Sequence, residues 1–149
     1  ILHRDLKPSN ILLHAGDGEQ EAPRALLSDF GTCELLGEGR GGPGGQPRGG
    51  YAAEFAAPER LRGIDSEEPA DVWSLGLVLF AMCTGDLPYH SEDPALCREQ
   101  VMAHSALPKL HSVRDPELHA LVARLTALAP AARPSAAEAE GACAAALER

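Results

Sequence analysis

The stretch His3-Arg4-Asp5-Leu6-Lys7-Pro8-Ser9-Asn10 decides how the rest of this chain is read. It carries a carboxylate able to accept a proton, a cation two residues later, and an amide oxygen five residues after the carboxylate that can hold a metal ion. Pro8 stands between the cation and the amide. It has no N–H to give a helix, and its ring pushes the preceding residue toward extended backbone. The stretch is therefore a loop that presents polar groups.

Four fixed residues in the pattern H-R-D-x-x-x-x-N recur by chance about once in ~10⁵ positions, so the pattern alone is suggestive. Order adds the rest. Asp29-Phe30-Gly31, Ala57-Pro58-Glu59, Asp71-Val72-Trp73-Ser74-Leu75-Gly76 and Arg133-Pro134 follow in turn. In these motifs and their order the chain resembles the C-terminal lobe of a eukaryotic protein kinase of the serine/threonine type. The resemblance implies a mainly α fold with a small β-hairpin beside the catalytic loop. Residues 1–149 are then a partial kinase domain running from that loop to the final helix, with an activation segment over 29–59. Nothing before Ile1 corresponds to the family's glycine-rich phosphate loop, strand lysine or helical glutamate. The N-terminal lobe is expected to be absent from this chain, which reads as a fragment of a longer protein.

A net charge of −9 opposes a general affinity for nucleic-acid phosphates, and no basic run points to a membrane surface. Val72 to Cys83 is apolar but about half the length of a membrane span, so it reads as a buried helix. The four cysteines, Cys33, Cys83, Cys97 and Cys143, lack C-x-x-C spacing, which fits reduced thiols and a cytoplasmic setting. His104, His111 and His119 have no metal-site spacing either.

Ile11-Leu12-Leu13 and Ala25-Leu26-Leu27-Ser28 are short apolar runs joined by a polar, turn-rich connector, the pattern of a hairpin. The Gly37–Gly50 stretch is mostly glycine with two prolines and is expected to stay mobile. Pro69 opens a helix through Thr84, closed by Gly85, with Val72, Leu75, Val78, Leu79 and Met82 at helical spacing. Asp93-Pro94 starts another that runs to about His104. Asp115-Pro116 starts a third, whose apolar stripe runs from Leu118 to Leu128 before Pro130 ends it. Ser135 and Glu138 have capping-box spacing and open a last alanine-rich helix.

The resemblance assigns roles position by position. Asp5 orients a substrate hydroxyl and takes its proton, and Lys7 offsets charge on the transferred phosphate. Asn10 and Asp29 hold Mg2+, and Leu12 lies under the adenine of ATP, although an ordinary core leucine explains it equally well. His3 and Phe30 pack together, with Phe30 turned inward and Gly31 free to take unusual backbone angles. Asp71 accepts hydrogen bonds from the His3-Arg4 backbone. Glu59 pairs with Arg133. The protein partner implied is one offering a serine or threonine hydroxyl, since Lys7 follows the serine/threonine pattern.

Three departures matter. Ala52 stands where many such kinases have a threonine that ties the substrate loop to the catalytic aspartate and lysine. Between Gly31 and Ala52 the only hydroxyl side chains are Thr32 and Tyr51, so Arg4 has no evident phosphate to pair with. The expectation is a parent not switched by activation-loop phosphorylation. Ser9 and Ala81 replace two acids that often select basic substrates. The competing reading is a pseudokinase or truncated scaffold that binds protein partners without catalysis.

Overall fold

The structure, a computed structural model, describes residues 1–16, 22–34, 52–64, 68–103 and 106–147. The glycine-rich stretch 37–50, Tyr51 and His104 lie outside the described residues.

Helix α2, Glu68–Thr84, contributes residues to both buried hydrophobic clusters and packs against α4. Glu68 and Asp71 place acids in its first turn, where the helix dipole favours them. Gly85 follows at φ 71, a left-handed turn that stops the helix without a Cβ clash. Trp73, Leu77 and Phe80 lie four and three residues apart on one face and are each 0% exposed. Burial departs from the helical spacing at the far end, because Met82 is 75% exposed and Leu75 and Leu79 are only half-buried. The last turn of α2 borders an open cleft beside Pro8, which leaves Met82 uncovered.

A short 3-10 turn, Pro8–Asn10, leads into β1, Ile11–His14, which pairs antiparallel with β2, Arg24–Leu27. The register runs from Ile11 opposite Leu27 to His14 opposite Arg24. Two strands have little surface to bury one another, and Leu12 is 54% exposed. The core-leucine reading of Leu12 therefore fails.

The remaining helices are α1, Pro58–Leu61, α3, Pro94–Ala103, α4, Pro116–Leu125, and α5, Ala136–Leu147. Asp115 caps α4 by accepting from the Glu117 and Leu118 N–H groups, both at 2.9 Å. Ser135 and Glu138 cap α5 reciprocally: the Glu138 carboxylate accepts from Ser135 N–H at 2.8 Å, and Ser135 Oγ accepts from Glu138 N–H at 3.2 Å. Helix α4 ends sooner than its apolar stripe, leaving Leu128 in the following turn. The carbonyls of Ala127 and Leu128 accept from the Arg133 guanidinium at 2.8 and 3.3 Å, which draws them out of helical pairing.

Helices α2 and α4 meet at Gly76, where an added Cβ would sit 2.7 Å from Thr126 Cγ2 and 2.8 Å from Leu125 Cβ. Only hydrogen fits there. Among the described residues no helix is long and apolar enough to cross a membrane. Among the described residues the architecture is mainly helical with one two-stranded hairpin, as the resemblance implies.

Candidate active site

The site begins with Asp71, carried by the first turn of α2 to a position under the His3-Arg4 turn. Its Oδ2 accepts from His3 N–H at 2.6 Å and its Oδ1 from Arg4 N–H at 2.9 Å. Those bonds hold Arg4 at φ 69, a left-handed conformation unusual for a residue with a side chain. Arg60 of α1 donates to the Arg4 carbonyl from the other side. The turn is thus fixed from two sides.

His3 is buried, with Nε2 3.0 Å from the Ser28 carbonyl and its ring centroid 5.4 Å from that of Phe30, tilted by 51°. Phe30 does not turn inward as expected. It is 56% exposed, because His3 covers part of the ring while the rest faces solvent.

The fixed turn delivers Asp5 into a ring of donors. Lys7 Nζ donates to Asp5 Oδ2 at 2.6 Å, Asn10 Nδ2 to the same oxygen at 3.2 Å, and the Ala52 N–H to Oδ1 at 3.3 Å. Burial by itself would raise the Asp5 pKa. The Lys7 hydrogen bond, the Ala52 N–H, the Lys7 charge and the Asn10 amide outweigh it and hold the carboxyl below its ordinary 3.8. Asp5 is a carboxylate at neutral pH, while only 7% exposed. Ala52 lacks a hydroxyl, yet its backbone keeps a hydrogen bond to the acid.

Asn10 is buried, and its amide nitrogen also donates to the Asp5 carbonyl at 2.8 Å, which leaves Oδ1 outside these bonds. Ser28 N–H and Oγ both donate to the Asn10 carbonyl, at 2.9 and 3.1 Å. Asp29 is the next residue after Ser28. Asp29 is exposed, at φ 60 and ψ 68, and accepts from Gly31 N–H at 3.4 Å. An amide oxygen and a carboxylate are hard oxygen donors, the set that holds Mg2+ together with phosphates and water, so the residues fit that ion. Among the described residues there is no group of three or more His, Cys, Asp or Glu able to hold a metal without such help. Leu12 lies on β1 with its side chain exposed.

Glu59 and Arg133 form a two-pronged buried ion pair at 2.6 and 2.9 Å, with side chains 6% and 0% exposed. Arg133 also lies over the Trp73 ring, 5.0 Å from its centroid, and donates to the Pro69 carbonyl at 2.8 Å. The pair ties α1 to the turn before α5.

Sequence reasoning missed three supports. Glu34 forms an ion pair with Arg4, and its backbone pairs with Leu2 at 2.8 and 3.0 Å. Thr32 Oγ1 donates to the His3 carbonyl at 2.9 Å. Ser74 Oγ donates to the Phe55 carbonyl at 2.8 Å, anchoring the segment that carries Ala52. Each joins residues remote in sequence, and no local pattern announces it. A cleft of about 710 Å³ lined by Cys83, Thr84, Arg114 and Asp115 includes none of the site residues.

A family model described as Protein kinase domain matches residues 1–142. The probable serine/threonine-protein kinase iksA of Dictyostelium discoideum is 39% identical over 112 residues, covering 63% of this chain and 11% of that protein. The serine/threonine-protein kinase-transforming protein mos of Moloney murine sarcoma virus is 37% identical over 110 residues, 74% of this chain and 28% of that protein. Serine/threonine-protein kinase pkn3 of Myxococcus xanthus is 29% identical over 146 residues, 93% of this chain and 26% of that protein. The chain thus spans less than a third of the length of these relatives. With the motifs, the fold and a family match across nearly its whole length in agreement, this chain belongs to the protein kinase domain family.

Proposed function

We propose that this chain is the substrate-side half of a serine/threonine protein kinase, extending over residues 1–149, which in the intact parent moves a phosphoryl group from ATP to a protein hydroxyl. One observation carries the reading: the buried Asp5 carboxylate is held ionised by Lys7, Asn10 and the Ala52 N–H. Phosphoryl transfer asks a protein mainly for positioning and charge balance, and this cluster can supply both.

Magnesium ATP, when bound, supplies the phosphoryl group and screens its charge. Asp5 orients the substrate hydroxyl through a carboxylate oxygen and receives its proton. Lys7, in contact with Asp5, balances negative charge at the point of transfer. Asn10 Oδ1 and the Asp29 carboxylate would hold the metal, and Leu12 would meet the adenine. Lys7, two residues after Asp5, favours serine or threonine over tyrosine. This chain alone, which carries no counterpart of the phosphate loop, is expected to be inactive.

A cytoplasmic setting agrees with four free cysteines, and a net charge of −9 with the lack of a nucleic-acid role. The second reading, a scaffold without catalysis, draws on Ala52, whose methyl cannot make side-chain hydrogen bonds to Asp5 and Lys7. Transfer of labelled phosphate from ATP to serine peptides by the full-length protein separates the two. The enzyme reading predicts magnesium-dependent transfer that Asp29→Asn abolishes. Absence of transfer by a protein that also carries an N-terminal lobe would leave the scaffold.

A further inference from the structure

The peptide unit between His3 and Arg4 is trans, so its carbonyl and its N–H leave the chain on opposite sides. The N–H, which belongs to Arg4, is accepted by Asp71 Oδ1 at 2.9 Å. The carbonyl, which belongs to His3, accepts from Thr32 Oγ1 at 2.9 Å and lies 3.6 Å from Cys33 Sγ. One peptide plane is therefore gripped at both ends, by the first turn of α2 and by the residue that follows Gly31. Holding that plane helps to hold Arg4 at φ 69, and Asp5 is the next residue.

Of the two donors on the His3 carbonyl, the hydroxyl is the stronger. Burial, and then the charges of Asp71 and Asp29, push the Cys33 thiol up, so it stays a neutral S–H, which is a weak donor. Thr32 also belongs to the turn that carries Asp29. It ends the 3-10 turn Phe30–Thr32, where Cys33 N–H closes on the Phe30 carbonyl at 3.2 Å and the Asp29 carboxylate accepts from Gly31 N–H. Fastenings lie on both sides of this turn: Ser28 donates to the Asn10 carbonyl before it, and Glu34 pairs with Leu2 after it. Between them, the Thr32 hydroxyl joins the turn that carries Asp29 to the turn that delivers Asp5.

We propose that Thr32 is a positioning residue, whose hydroxyl keeps the Asp29 turn in register with the Asp5 turn. The bearing of that register on phosphate transfer rests on the protein-kinase reading of the site; the register itself does not. Valine has nearly the shape of threonine but no donor, so it leaves the His3 carbonyl with the weak thiol alone. Serine keeps the donor and loses only a methyl.

The test compares Thr32→Val and Thr32→Ser with wild type in the full-length protein. Hydrogen exchange is followed at one amide in each turn, Arg4 and Cys33, and the Mg2+ needed for half-maximal binding of a fluorescent ATP analogue is titrated separately. Loss of one neutral hydrogen bond is a change of about fivefold in a local equilibrium. Thr32→Val should therefore exchange both amides about fivefold faster and raise the Mg2+ requirement about as much. Thr32→Ser should return both quantities to within about twofold of wild type. A merely structural threonine would lower the melting temperature of Thr32→Val and leave the Mg2+ requirement unmoved, which overturns the proposal. Wild-type exchange in Thr32→Val, or a serine variant as impaired as the valine one, overturns it too. Should the wild type bind no ATP or transfer no phosphate, the enzyme reading alone fails, and the exchange rates decide the register.

Discussion

Glu34 sets its carboxylate on the guanidinium of Arg4 while its backbone pairs with Leu2, so residue 34 is fastened to the His3-Arg4 turn. In kinases ordered by loop phosphorylation, the equivalent arginine waits for a phosphate. Here a carboxylate of the chain already engages it. Phosphatase treatment of the full-length protein should leave its transfer rate unchanged, and Glu34→Lys should lower it by placing two cations together. Inactivation by phosphatase, mapped to a residue of segment 29–59, would contradict this.

The Glu59–Arg133 pair makes a sharper thermodynamic demand. Both side chains are buried, so removing one strands the other charge, at a cost of about 3–5 kcal/mol. Arg133→Ala or Glu59→Ala should lower the melting temperature by about 6–20 °C in calorimetry. A shift below about 2 °C would mean that the pair is not buried in solution.

Asp71 acts at one remove from the chemistry. Asp71→Asn keeps one acceptor and loses the charge that holds two N–H groups, at a cost of about 1–3 kcal/mol. Hydrogen exchange at the His3 and Arg4 amides should speed up, and transfer should fall as Asp5 loses its fixed position. Unchanged exchange at both amides would refute the role.

Gly76 is a packing test. Ala at this position drives its methyl into Thr126 and Leu125, and the resulting overpacking should cost about 1–3 kcal/mol in urea denaturation. Gly63 is the control, at φ 72 with open space around it, where Ala meets backbone strain but no neighbour. A Gly76→Ala protein as stable as wild type would show that α2 and α4 do not pack this closely.

The pH dependence follows from Asp5, whose folded carboxyl titrates below its ordinary 3.8. Its contribution to stability is full above that value and disappears as pH falls through the lower folded one. The stability difference between wild type and Asp5→Asn should therefore narrow as pH falls through and below 3.8. A difference that stays constant over this range would show that Asp5 is not held ionised by its neighbours.

Much of this could be read along the chain because local physics announces it. Proline suits the first position of a helix, where its missing N–H costs nothing, and Pro94 and Pro116 each open one; Pro58 opens α1, a helix the sequence reading left unassigned. The reciprocal Ser135–Glu138 cap opens α5. The hairpin and α2 follow from apolar runs bounded by turn residues. Burial was harder to read, because it depends on neighbours. Periodicity put Met82 and Leu79 on one face with Val72 and Val78 without showing that the end of α2 borders a cleft, and it extended α4 to Leu128 without foreseeing that Arg133 takes those carbonyls. Phe30 and Leu12 are more exposed than their hydrophobicity implies. Within the site, Glu34, Ser74 and the Ala52 N–H act across long sequence separations that no motif encodes.

The most direct test of the central claim is phosphate transfer by the full-length protein before and after Asp5→Asn, with folding checked by circular dichroism. The variant keeps the shape of the side chain and loses the proton acceptor, so transfer should fall by about 10²–10⁴-fold with the fold retained. Transfer at the wild-type rate by a folded Asp5→Asn protein would contradict the account.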